Sequence, residues 1–234
     1  MKRSEINTLM LDADEFFKAN KFYLPPFAYW KPDDWSLRYL EVEDIVKNRL
    51  GWDITDYGIR DFKQYGLILF TLRNGNVLDW SKGVGKPYAE KVMIAEVGQV
   101  HQMHYHWQKM EDIINRAGGE LIIQLYNSGQ DDELANTAVS VSVDGVWRTI
   151  PAGDVIVLRP GESITLTPGC YHKFWAEKSR VLIGEVSMIN DDQTDNQFHE
   201  MIGPGRFSEI EEDEDPLYLL STDYERYWRA AKCA

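Results

Sequence analysis

The stretch Gly98-Gln-Val-His101-Gln-Met-His104-Tyr-His106-Trp-Gln-Lys109-Met-Glu111-Asp-Ile-Ile-Asn-Arg-Ala-Gly118 holds two histidines two residues apart, followed five residues later by a carboxylate. On a strand, side chains two apart share a face, so His104 and His106 converge on one point. Neutral imidazoles meeting there suit a borderline transition metal, and Glu111 adds an anionic oxygen if the chain turns after His106. Taken alone, the pair fits two half-buried histidines more readily than a metal site.

The full spacing shifts that balance. Glycine, five residues, His-x-His, four residues, glutamate, six residues and glycine resembles the first motif of the cupin superfamily at every fixed position. A second motif is expected downstream, and Gly161-Glu-Ser-Ile-Thr-Leu-Thr167-Pro168-Gly169-Cys170-Tyr-His172 is similar to it. There the proline sits one place late and Ala176 replaces the usual asparagine, departures that touch a turn and a contact behind the ligands. The resemblance implies a metal held by His104, His106, Glu111 and His172.

A chain of 234 residues makes one large domain or a domain with extensions, and 44% hydrophobic content with eight tryptophans is ample for a core. The formal charge of −13 repels phosphate backbones and anionic membranes, so nucleic-acid and membrane partners are not expected. With no apolar run of membrane length and no basic leader, the expectation is a cytoplasmic protein. Cys170 and Cys233 form no disulfide framework. Cys170, two before His172, reads as a small buried hydrophobe rather than a fifth ligand.

The predicted architecture is all-β, with helices at both ends. Ile6, Leu9, Met10, Ala13, Phe16 and Phe17 have helical spacing behind Ser4 as cap, and Pro25-Pro26 stops that helix near Asn20. Leu40, Val42, Ile45, Val46 and Leu50 suggest a second helix closed by Gly51, and the aromatic run from Phe22 to Trp35 reads as packing. From about Tyr65 the period becomes two. Arg73-Asn74-Gly75-Asn76 reads as a tight turn, and Asp144-Gly145 as the clearest hairpin. The expected division is an arm over 1–64, a barrel with the metal site over 65–189, and an acidic loop with a C-terminal helix over 190–234. Six acids between Glu209 and Asp215 read as a solvated surface; Thr222 and Glu225 have capping-box spacing before a helix whose face carries Tyr224, Tyr227, Trp228 and Ala231.

Beyond the metal motifs, Leu24-Pro-Pro-Phe-Ala, Leu50-Gly-Trp-Asp-Ile-Thr-Asp, Phe70-Thr-Leu-Arg-Asn-Gly75, Tyr88-Ala-Glu-Lys91, Lys109-Met-Glu-Asp-Ile-Ile-Asn-Arg and Gly184-Glu-Val-Ser-Met resemble the D-lyxose isomerase family of cupins. One departure is Ala117, before two glycines, where the family leads us to expect glycine. The resemblance implies a cupin jelly-roll barrel, interconversion of D-lyxose with D-xylulose and D-mannose with D-fructose, a homodimer, and a divalent metal, manganese first, with iron, cobalt, nickel or zinc as alternatives. Cupin dioxygenases use the same ligands, and a non-catalytic sugar-binding cupin could keep them.

Four protein ligands on a six-coordinate metal leave two positions for a sugar's carbonyl and neighbouring hydroxyl oxygens. A nearby carboxylate or lysine can then shuttle a proton between C1 and C2, a metal-assisted hydride shift being the alternative. Glu185 is the first candidate: a hairpin turning through Glu177-Lys178-Ser179-Arg180 would set it opposite His172 on the barrel face. A salt-bridged or exposed glutamate is the other reading. Lys109 could donate to a sugar oxygen or simply face solvent; Lys91 and Arg206 are candidate substrate contacts, taken from the family-like segments around them.

Overall fold

The computed structural model describes residues 1–38, 41–192, 194–200, 203–205 and 208–232, with side chains as far as Trp228 in the last helix. The helices are α1 (Arg3–Ala19), α2 (Pro32–Leu37), α3 (Glu43–Lys47), α4 (Phe62–Tyr65), α5 (Val77–Trp80) and α6 (Tyr224–Lys232). The first six strands are β1 (Gly51–Thr55), β2 (Leu67–Arg73), β3 (Tyr88–Ala95), β4 (Val100–Tyr105), β5 (Glu111–Ser128) and β6 (Leu134–Ala135). The rest are β7 (Val139–Val143), β8 (Val146–Ile150), β9 (Val155–Leu158), β10 (Ser163–Leu166), β11 (Cys170–Met188) and β12 (Gln197–Phe198). They pair antiparallel in the order β1-β2-β3-β11-β5-β10-β7-β8, with β4 on β11, β12 on β4, and β6 and β9 on β5. This is the all-β cupin jelly-roll barrel, with an N-terminal helical arm and a C-terminal helix. No described helix is long and apolar enough to cross a membrane.

Two apolar layers explain the patterning of β2. Leu67 and Leu69 face the barrel interior with Met93, Ile113, Phe174 and Ile183, while Ile68 and Phe70 face the arm. A strand covered on both sides reads as an unbroken apolar run, as Leu67-Ile-Leu-Phe70 does. The cover is α1, whose Ile6, Met10, Ala13 and Phe17 are fully buried against Trp52, Phe70 and Ile94. Burying the larger three contributes about 1.5–3 kcal/mol each.

The barrel turns on β5 and β11, which run beside each other for their whole lengths. Pairing proceeds from Cys170↔Asn127 to Glu177↔Glu120 and resumes from Val181↔Gly118 to Ser187↔Glu111. At the break Lys178 has φ +69° and Gly118 φ +98°. A Cβ on Gly118 would lie 2.0 Å from the Arg180 carbonyl oxygen, so the two backbones meet with no room for a side chain. Straight strands would separate residues 172 and 185 by about 43 Å, yet His172 and Glu185 line one cleft. The bend closes that gap. It also changes phase: Cys170, Phe174 and Ala176 point inward before it, Val181 and Ile183 after it.

Several sequence expectations are corrected. The hairpin proposed between His172 and Glu185 does not form; His172 lies opposite His104 and Leu125, and Glu185 opposite Lys91 and Ile113. Both residues nonetheless line one cleft, because the connection from 177 to 180 is even. Helix α1 starts beyond Lys2, whose N–H donates to Glu5 at 2.9 Å, so Ser4 lies inside the helix. Helix α3 ends before Arg49, which at φ +51° has already turned the chain, and Gly51 instead opens β1. Leu40 lies outside the described residues. β1 falls within residues 1–64 and β12 within residues 190–234. Asn74 and Asn76 make no tight hairpin: Asn76 caps α5, with its Oδ1 accepting from Leu78 N at 2.9 Å. The Asp144-Gly145 hairpin forms with both residues at positive φ. The acidic run is only partly solvated, because Glu212, Asp213 and Glu214 hold the first turns of α1 through Arg3, Ser4 and Asn7. Helix α6 packs on the arm, Tyr224 against Trp35 with its hydroxyl donating to the Leu50 carbonyl at 2.7 Å. The side chain of Ala231 and all of Cys233 are not described.

Candidate metal centre and active site

β4 delivers His104, the residue after its end is His106, β5 begins with Glu111, and β11 supplies His172. One ligand atom from each lies within 4.8 Å of the others, and all four residues are buried. The Nδ1 atoms of the histidines donate to backbone carbonyls: His104 to Gln102 at 2.8 Å, His172 to Cys170 at 3.0 Å, and His106 to Asp195. A carbonyl only accepts, so each Nδ1 is the donor and each ring turns its Nε2 toward the cluster. Glu111 Oε1 lies 3.1 Å from His172 Nε2 and 3.4 Å from His106 Nε2. Among the described residues nothing hydrogen-bonds to Glu111 Oε1 or to His172 Nε2, and both are buried. Acceptors turned on one another at that distance need a cation between them, so the donor set fits a divalent metal. Burial, reinforced by the imidazoles of His172, His101 and His106, holds His104 well below the ordinary histidine value and therefore neutral.

The remaining predicted residues gather beside this cluster. Lys109 Nζ is 2.7 Å from Glu111 Oε2 and 3.1 Å from Glu185 Oε1, while Lys91 Nζ is 3.3 Å from the same Glu185 oxygen. Ser187 Oγ also donates to Glu185 Oε1, at 3.1 Å. Among the described residues, no hydrogen bond reaches Glu185 Oε2. Burial works to raise the Glu185 carboxyl, but Lys109 and Lys91 outweigh it and hold it below the ordinary carboxylate value. Burial likewise works to raise Glu111, and Lys109 and then His106 take it well below. For Lys109, burial favours losing the proton, but Glu111 and Glu185 raise its affinity, so it stays an ammonium. Cys170 takes no part: burial, with Glu111 nearby, pushes its thiol up to about 12, so it remains neutral. Arg206 lies outside the described residues. The cleft encloses about 440 Å³, part of it open to solvent, and its far wall includes Tyr57, Leu67, Met93, His101 and Phe198.

A family model for D-lyxose isomerase matches residues 1–224. The chain belongs to the D-lyxose isomerase family. It is 46% identical over 230 residues to a D-lyxose/D-mannose isomerase of Serratia proteamaculans, covering 97% of this chain and 99% of that protein. Its identity to a D-lyxose/D-mannose isomerase of Escherichia coli O157:H7 is 43% over 232 residues, covering 97% of this chain and 100% of the other. L-ribose isomerase of Cellulomonas parahominis, solved with L-ribose, is 16% identical with a TM-score of 0.60, covering 90% of this chain and 98% of that one. That likeness speaks for the fold. The chain is a sugar isomerase of the aldose–ketose type.

In this sugar isomerase the segment after β11 does more than its polar, turn-like composition suggests. Asp195 accepts the His106 Nδ1 proton on its carbonyl, and its carboxylate receives Gln108 N at 2.8 Å and Lys109 N at 2.9 Å. Asn190 Oδ1 accepts from Lys91 at 2.6 Å and from Lys109 at 3.2 Å. On β4, His101 stacks on Phe174 with ring centres 4.4 Å apart and meets His104 edge-on at 4.8 Å. A third histidine three residues before the ligand pair was the signal for that wall; nothing in the sequence alone marked Asp195.

Proposed function

We propose that the protein interconverts D-lyxose with D-xylulose, and D-mannose with D-fructose, using a divalent metal held by His104, His106, Glu111 and His172. The observation that carries this reading is Glu185, a buried and ionised carboxylate whose Oε1 meets Lys109, Lys91 and Ser187 while Oε2 has no hydrogen bond among the described residues, two hydrogen-bonded steps from Glu111. When bound, the metal supplies Lewis acidity to the sugar's carbonyl and neighbouring hydroxyl oxygens. Glu185 Oε2 takes the proton from C2 of the aldose and returns it at C1, while the hydroxyl proton given up at O2 is made good at O1, so the sugar gains and loses nothing overall. Lys109, kept protonated between two carboxylates, donates to a sugar oxygen as negative charge grows there. Lys91 holds Glu185 in place and presents an ammonium to the substrate. Three imidazoles and a carboxylate accept manganese, iron, cobalt, nickel or zinc; we expect manganese to serve best, by family likeness. The relatives named D-lyxose/D-mannose isomerase support the choice of sugars, and a twofold dimer is the expected assembly.

The test is a ketose assay with D-lyxose and D-mannose on metal-stripped protein, before and after adding each metal, with oxygen uptake followed in parallel. Ketose should form only with metal, fastest with manganese, and without oxygen consumption. Full activity after stripping would remove the metal from the proposal. Oxygen uptake without ketose would favour dioxygenase chemistry, and sugar binding without turnover a non-catalytic role.

A further inference from the structure

We infer that Asn190, held by Asn74, is a positioning residue that keeps the reactive oxygen of Glu185 clear of the two lysines. The inference rests on Glu185 being the proton-transfer group proposed above.

Two ammonium groups and two acceptors form a closed ring. Lys91 and Lys109 both reach Glu185 Oε1, at 3.3 and 3.1 Å, and both reach Asn190 Oδ1, at 2.6 and 3.2 Å. Each lysine is almost completely buried. A buried ammonium must find acceptors, and the strongest at hand is a carboxylate. Without Asn190 the acceptors left around them are the carboxylates of Glu185 and Glu111 and, 4.0 Å from Lys91, that of Asp192. Glu185 is the one both lysines already touch, so they would take its Oε2 as well as its Oε1, and Oε2 is the oxygen that must receive the substrate proton. Asn190 supplies a neutral alternative. Its amide oxygen satisfies one donor on each lysine without adding charge, which leaves the Glu185 contacts on Oε1.

That role demands a fixed amide, and the fold fixes it from behind. Asn190 N donates to Asn74 Oδ1 at 3.0 Å, and Asn74 Nδ2 donates to the Asn190 carbonyl at 3.0 Å. Asn74 is itself buried, and its Oδ1 also accepts from Gly75 N at 3.0 Å. The side chain of Asn74 thus pairs with the backbone of residue 190 much as a neighbouring strand would. It follows the end of β2, which also flanks Lys91 through Thr71. One asparagine sets the backbone, the other sets the ammoniums, and the lysines set the base.

Asn190→Ala removes the neutral acceptor and keeps the metal ligands. We expect kcat to fall about 10–100-fold, the scale of a small misplacement of a reacting group, with KM within about threefold and metal content unchanged. The isotope effect on kcat with C2-deuterated D-lyxose should rise, because proton transfer becomes the slow step. Asn190→Asp, which keeps an acceptor at the same place, should recover more activity than Asn190→Ala, whereas a merely structural asparagine would show no such order. Asn74→Ala should reproduce the kinetic defect more weakly. Wild-type kcat and isotope effect in Asn190→Ala would overturn the inference, as would a loss traced entirely to missing metal. Glu185→Gln, measured alongside, separates the two readings: if it keeps full turnover, the base assignment falls; if it is inactive while Asn190→Ala is normal, only the positioning role falls.

Discussion

At the scale of the residue, Glu185 and the four metal-type ligands should behave differently when altered. Glu185→Gln keeps the size of the side chain but cannot accept the proton, so kcat should fall by about two or more orders of magnitude, the cost of losing a general base. Metal content should stay near that of the parent. His104→Ala, His106→Ala or His172→Ala should instead lose metal and activity together while the circular dichroism of the barrel persists, since a core of this size does not depend on the metal to fold. Full metal occupancy in any two of these three would sink the ligand set. The cluster was legible because the two motifs put particular atoms at particular strand positions, and His104, His106, Glu111 and His172 do meet. Asn190 and Asp195 were not, because their work is done by an amide oxygen and a backbone carbonyl inside a stretch that reads as turn. Such roles leave no spacing rule in a single sequence.

At the scale of the element, the bend shared by β5 and β11 is the part least tolerant of change. Gly118→Ala adds both an unfavourable positive φ and a carbon 2.0 Å from the Arg180 carbonyl oxygen, so the backbones must part. The loss should be about 3 kcal/mol or more, in the range of severe single substitutions, with activity falling as Glu185 shifts. Gly98→Ala is the control: it has φ +79° but nothing within 4 Å of the added carbon, so only the conformational cost of about 1–2 kcal/mol applies. Equal losses in chemical denaturation would remove the close approach as the cause. The strands themselves were readable from alternation, as at Val139-Ser-Val-Ser-Val143, where burial alternates along most of the strand. The partners of β11 were not, since adjacent runs at 170–176 and 181–188 look like the two arms of a hairpin, and only the long, equally bent β5 shows them to be one strand.

At the scale of the whole molecule, the two ends of the chain are joined at Arg3. Its guanidinium is fully buried and pairs with Glu212 at 2.8 Å and Asp223 at 2.9 Å. Asp223→Ala leaves a buried cation short of a partner, and the expected cost is on the order of 3 kcal/mol. The Arg3 guanidinium holds the Glu212 carboxyl below its ordinary value. A carboxyl lowered on folding contributes stability that is present above its unfolded value, about 4.3, and lost as pH falls through the folded one. Thermal melts should therefore show Tm dropping below about pH 4, and Arg3→Met should lower Tm at neutral pH while flattening that acid limb; an unchanged limb would show that other carboxylates set it. Glu212 is partly solvated, so salt weakens its share. The acid run that looks like mere surface charge in the sequence is in this way the seat of α1, whose opposite face covers β1, β2 and β3.

The even step from Glu177 to Arg180 gives β11 something like a reading frame. Upstream of it the even-numbered residues look inward; downstream the odd-numbered ones do. Removing one residue there would leave His172 in frame and throw Val181, Ile183, Glu185 and Ser187 out of it together, exchanging them for Leu182, Gly184 and Val186. Half a barrel wall and the proposed base would be lost in a single event, with the cluster of His104, His106, Glu111 and His172 untouched. Substitutions can therefore drift along this strand, but its length across the bend is quantised in pairs.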